Sequence, residues 1–103
     1  MRFGLKETTI EAIHTVLAGF PEVEEAVLYG SRAKGNYKPG SDIDLTLKGG
    51  DVTWETACDI RGKLDESFLP YMFDISAYTQ IDNPDLIAHI DRVGTTFYRK
   101  ESE

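Results

Sequence analysis

Residues 30–47 read GSRAKGNYKPGSDIDLTL, and the two ends of that stretch ask for different structures. From Asp42 to Lys48 polar and apolar residues alternate strictly, with Ile43, Leu45 and Leu47 between Asp42, Asp44, Thr46 and Lys48. A period of two specifies a strand buried on one face, so the aliphatic side chains turn to a core while Asp42 and Asp44 share the opposite face. Ahead of it, Gly35-Asn36-Tyr37-Lys38-Pro39-Gly40-Ser41 concentrates turn formers and reads as a loop. Ser31–Lys34 suits a short helical turn. The run Val23–Tyr29 is rich in β-formers and closed by Gly30, so one strand delivers the chain to Gly30-Ser31 and another leaves from Asp42.

Upstream, Leu5, Thr9, Ala12, Ile13, Val16 and Leu17 recur at helical spacing, and Thr8 with Glu11 has the pattern of a capping box. This predicts a helix ending near Gly19. Past the Gly49-Gly50 break, Trp54, Ala57, Ile60, Leu64 and Phe68 predict a second long helix stopped before Pro70. Met72–Ala77 reads as a third strand, and Asn83-Pro84 as the cap and first turn of a last helix carrying Leu86, Ile87 and Ile90. Arg99–Glu103 reads as a solvated tail. The order helix, strand, strand, helix, strand, helix implies an α/β (α+β) fold, a small mixed sheet covered by helices on one face and left open on the other. No linker, repeat or low-complexity tract divides residues 1–103, so a single domain is expected.

With 18 acidic residues against 11 basic ones, the net charge of −7 repels a polyanion, which argues against DNA or RNA as the main substrate. Cys58 is alone and cannot form an internal disulfide, no secretory signal opens the sequence, and no apolar run is long enough to span a membrane. The expected location is the cytoplasm.

An acid-x-acid pair is weak on its own in so acidic a chain; Glu22 and Glu24 form another. Asp42 and Asp44 differ because they lie on a strand between core-facing aliphatics, where charge is costly unless compensated. Alternate strand residues lie roughly 6.6 Å apart, a span over which two carboxylates converge on a pair of metal ions. All-oxygen ligands, completed by water and phosphate, favour Mg²⁺, with Mn²⁺ as its substitute. An EF-hand is excluded by Leu45 and Leu47, which stand where ligands or the turn glycine belong. Gly30 lets the backbone approach a ligand closely, and the Ser31 hydroxyl and following amides suit the phosphates of a nucleoside triphosphate. Arg32, Lys34 and Ser41 are further candidates for that cradle, Arg32 and Lys34 as sources of positive charge or as solvated turn residues.

The stretch resembles the signature of the nucleotidyltransferase superfamily related to DNA polymerase β: Gly30-Ser31, ten residues, then Asp42-Ile43-Asp44. The resemblance implies that Ser31 contacts the triphosphate of ATP, that Asp42 and Asp44 bind two metal ions, and that Asp74 on the later strand is the third carboxylate. Asp74 would bridge the metals and accept the proton of, or help orient, the attacking hydroxyl; Asp82 and Asp85 are the other acids in reach of that role. Shortness makes the chain similar to the minimal nucleotidyltransferases, antitoxin-like partners of small helical HEPN-type toxins. This implies transfer of AMP to a protein hydroxyl, a tyrosine. Two alternatives stand beside it: an antitoxin that only masks its partner, and a transferase acting on an aminoglycoside-like small molecule. Homo- or hetero-oligomeric assembly stays open. His14, His89 and Cys58 read as helix residues without a role, while Trp54, Phe68, Tyr71 and Phe73 suit either core packing or a docking face.

Overall fold

The computed structural model describes residues 2–38 and 40–101. The elements run α1 (Glu7–Ala18), β1 (Glu25–Tyr29), α2 (Ser31–Lys34), β2 (Ile43–Lys48), α3 (Trp54–Glu66), β3 (Phe73–Ala77), a 3-10 turn (Tyr78–Gln80), α4 (Pro84–Val93) and β4 (Thr95–Arg99). Ile43, Leu45 and Leu47 are fully buried, as the alternation in β2 requires. They pack with Ala26 and Leu28 of β1 and Phe73 and Ala77 of β3 against Ile10, Ile13 and Leu17 of α1 and Ala57, Ile60 and Leu64 of α3. This layer of helix on sheet is the main core.

The sheet is four-stranded in the order β3-β2-β1-β4. β1 runs antiparallel to both β2 and β4, and β2 runs parallel to β3, so the sheet is mixed. The helix α3 makes the crossover from β2 to β3 that a parallel pair needs. Its start is fixed by Thr53 and Thr56, whose side chains each bond the other's backbone N–H in a capping box.

Three expectations are corrected. The first concerns the C-terminus: residues 95–99 form a strand, and Lys100 is stitched down by its N–H to the Glu24 carbonyl (2.8 Å) and its Nζ to the Pro21 carbonyl (2.9 Å). Only Phe97 of that strand is buried, so a single apolar residue carried no readable alternation. Ser102 and Glu103, the end of the expected tail, lie outside the described residues. Second, α1 starts before the Thr8–Glu11 box: its cap is Lys6, without a side-chain bond, and a reciprocal backbone pair between Arg2 and the buried Leu5 sets the entry. Third, α4 does not join α1 and α3 but lies on the other face, where Ile90 packs with Val27 and Tyr29 of β1. The choice left open for the aromatic residues is divided between them: Trp54 and Phe68 are 68% and 96% exposed, while Phe73 is buried and Tyr71 packs against the core.

The expected cap of α4 is present: Asn83 Oδ1 accepts from the N–H groups of Asp85 (2.9 Å) and Leu86 (3.4 Å). Asn83→Ala leaves those donors without a side-chain partner. It is expected to cost about 1 kcal/mol, lowering the melting temperature by roughly 4–8 °C, as thermal denaturation followed by circular dichroism will read.

Candidate active site

The face of the sheet not covered by α1 and α3 carries Asp44 and Asp74 side by side. In the parallel ladder between β2 and β3 they are direct partners, and in the antiparallel ladder on the other side Asp44 is opposite Tyr29. Directly opposed residues on one face place their Cβ atoms roughly 5 Å apart, so a row of Tyr29, Asp44 and Asp74 crosses the sheet. Asp42 sits just before β2, exposed at its entry, and Asp74 is exposed on the edge strand; Asp44, between strands, is half-buried. Alpha-helix α4 walls the β1 side of this row, with His89 edge-on to the Tyr29 ring at a centroid distance of 6.2 Å.

The electrostatics follow from this crowding. Burial first, then the Asp74 charge, then that of Asp42, hold the Asp44 carboxyl above the usual carboxylate range. Burial first, with the charges of Asp74 and Asp44, pushes the Tyr29 phenol up to about 12, against a hydrogen bond with Ser76 that works the other way. Tyr29 therefore stays a neutral phenol beside the acids. Sequence reading missed Tyr29 because its place in the row depends on strand register, which no local pattern encodes.

Gly30 ends β1 with φ +76° and ψ −156°, a region essentially reserved for glycine. A Cβ there would collide with Asp44 Oδ2 and lie 3.3 Å from its Cγ. The turn that begins α2 thus abuts the central carboxylate with nothing between them. Ser31, the first residue of α2, is half-buried beside this contact, and Lys34 is exposed. The first amides of a helical turn lack intrahelical acceptors, which leaves them available to a ligand.

Arg32 has a different setting from the one expected of a phosphate ligand. It is 3% exposed, and its guanidinium is spent on the protein: Nε and Nη2 donate to the Ser41 carbonyl at 3.1 and 2.9 Å, and Nη1 donates to the Phe3 carbonyl at 2.8 Å. Ser41 is likewise engaged, its hydroxyl accepting from the Lys38 N–H (2.8 Å) and its own N–H donating to the Lys38 carbonyl (2.9 Å). Both residues hold the loop. His14 is structural too, hydrogen-bonded through Nε2 to the Phe97 carbonyl at 2.7 Å, and Cys58 is an exposed residue of α3.

The carboxylates do not form a closed metal cage: among the described residues no three Asp, Glu, His or Cys side chains meet at metal-holding distance. Mg²⁺ does not require one, since it takes one or two carboxylates and completes its shell with water and substrate phosphates. An all-oxygen set whose central member is strained by its neighbours' charge fits such an ion, and does not fit zinc. Among the described residues no helix is long and apolar enough to cross a membrane.

Comparison with known proteins agrees with this fold. The family model described as polymerase beta, nucleotidyltransferase matches residues 11–103. The chain belongs to that family. No curated protein matches it by sequence. Among solved structures it is similar to a toxin–antitoxin with AMP-PNP, at TM-score 0.71 and 19% identity over 94% of this chain and 76% of the other. It is also similar to the complex of a tri-AMPylated Shewanella oneidensis HEPN toxin with its MNT antitoxin, at TM-score 0.70 and 16% identity over 93% and 74%. A protein from Sulfolobus solfataricus described as a nucleotidyltransferase follows, at TM-score 0.51 and 19% identity over 94% and 92%. At these identities the likeness establishes the nucleotidyltransferase fold.

Proposed function

We propose that this chain is a magnesium-dependent adenylyltransferase that moves AMP from ATP to a protein hydroxyl, a tyrosine of a HEPN-type toxin, and so acts as an antitoxin. The observation that carries the reading is the direct abutment of the Gly30-Ser31 turn on Asp44, with Asp74 its ladder partner. A phosphate cradle and a set of metal-binding carboxylates have to touch for in-line transfer at the α-phosphorus. The AMP-PNP bound in one related structure and the AMPylated HEPN toxin in another support ATP and a toxin as the two substrates.

In this reading Ser31 and the amides after it hold the β- and γ-phosphates. Asp42 and Asp44, with Asp74, would hold divalent metal, which would supply positive charge to offset that on the attacking and leaving oxygens. Asp74, at the exposed edge of the row, takes the proton of the acceptor hydroxyl as its oxygen bonds to the α-phosphorus. The bond from that phosphorus to pyrophosphate breaks, and pyrophosphate leaves. Binding both substrates in register supplies much of the remaining rate. Arg32 and Ser41 serve the site by shaping its loop.

The test mixes the chain, the product of the gene neighbouring its own and α-labelled ATP with magnesium. Label is expected on a tyrosine of the partner, and not after Asp42→Asn or Asp44→Asn. Partner neutralisation that survives both substitutions, with no label on any acceptor, would replace the enzyme with a masking antitoxin.

A further inference from the structure

We propose that Arg32 is a positioning residue that fixes the backbone carrying Asp42, and so sets the affinity of the site for divalent metal. The inference rests on the reading of Asp42 as a metal ligand. The carbonyl that receives both Nε and Nη2 of Arg32 belongs to Ser41, and it shares a planar peptide unit with the nitrogen of Asp42. Holding that oxygen from two directions therefore holds the Asp42 nitrogen as well. The third bond, to Phe3, anchors the same guanidinium to the N-terminal segment ahead of α1. The Tyr37 and Tyr71 rings stand with centroids 5.4 and 5.2 Å from its central carbon.

Burying a cation away from water is expensive, and this one is compensated by carbonyl dipoles and ring faces. No carboxylate is within ion-pair distance of Arg32 among the described residues. What the arrangement provides is geometric. Arg32 belongs to α2, one residue after Ser31, so one rigid group couples the turn assigned to phosphate to the loop end assigned to metal. The planar fork is essential, because an ammonium cannot converge two fixed N–H bonds on one carbonyl while reaching a third acceptor on its far side.

Arg32→Lys keeps the charge and removes the fork. In the full chain we expect faster amide exchange at Lys38 and Ser41, whose N–H groups are hydrogen-bonded within the loop, and Mn²⁺ affinity, read by electron paramagnetic resonance of the free ion with AMP-PNP present, weakened about 10–100-fold. Ile13→Val, a destabilising change in α1 far from the loop, controls for stability alone and is expected to leave Mn²⁺ affinity unaltered. If Arg32→Lys fails to fold, Tyr37→Leu strips one ring from the same guanidinium and is expected to weaken Mn²⁺ binding to a smaller degree. Undiminished Mn²⁺ affinity in the folded variant, or an equal loss in Ile13→Val, overturns the positioning role while leaving the transferase reading intact. A wild-type chain that binds no Mn²⁺ removes the metal reading first, and this inference with it.

Discussion

Asp44→Asn is expected to lower nucleotidyl transfer by about a thousandfold or more, since losing several kcal/mol of metal-borne charge stabilisation corresponds to that factor. The same substitution is expected to raise the melting temperature in buffer without divalent cations. The reason is the linkage between charge and folding. The Asp44 carboxyl is held above the ordinary carboxylate range by burial, Asp74 and Asp42, in that order. Between its unfolded and folded pKa values the native chain binds the extra proton, so stability falls as pH rises through that window and stays lower above it. Asparagine carries no charge to crowd against Asp74 and Asp42, so the variant escapes that fall. Magnesium then separates the two proteins: it is expected to raise the melting temperature of the wild type at neutral pH and to leave the variant nearly unmoved. A variant less stable than wild type in chelator, or equally stabilised by magnesium, contradicts the assignment of Asp44 as the central ligand.

Why the alternation of β2 could be read directly from sequence while the place of Tyr29 could not is a matter of which interactions are local. The alternation in residues 42–48 is set by one strand's own side chains, so the buried aliphatics and the polar face declare themselves together. The adjacency of Asp44 to Asp74 is a statement about parallel register between strands joined by a 13-residue helix, and Tyr29 joins the row only through a second register. Asp74 was reached by family resemblance, which encodes that register implicitly. Arg32 failed for another reason. A helix of four residues has no periodicity from which to tell an inward side from an outward one, so Arg32 reads from sequence either as a phosphate ligand or as a solvated turn residue, and not as a buried one. The buried destination of its guanidinium depends on Phe3, Tyr71 and the Ser41 carbonyl, which are distant in sequence. The strand β4 hid for want of apolar residues, because an edge strand needs only Phe97 to reach the core.

Gly30→Ala is the substitution in which stability and chemistry are expected to part most clearly. Its backbone at φ +76° and ψ −156° is strained for any residue with a side chain, at about 2 kcal/mol, or roughly 10 °C in melting temperature for a domain of this size. The variant should therefore remain folded well below its midpoint. Its methyl group, however, lands on Asp44 Oδ2. A carboxylate is the mobile end of a side chain and yields to such a clash more readily than backbone does, so the cost to folding is moderate and the cost to the site is not. Displacing one ligand by about an ångström is enough to lose on the order of a hundredfold in rate. The two residues should then behave as one unit in a double-mutant cycle: adding Gly30→Ala to Asp44→Asn should reduce transfer little further, because the group it displaces has already lost its function. Independent, additive losses would mean that the glycine acts on the phosphates alone. A fully active Gly30→Ala chain would mean that the turn and the carboxylate do not work in contact, and the reading built on their abutment would have to be given up.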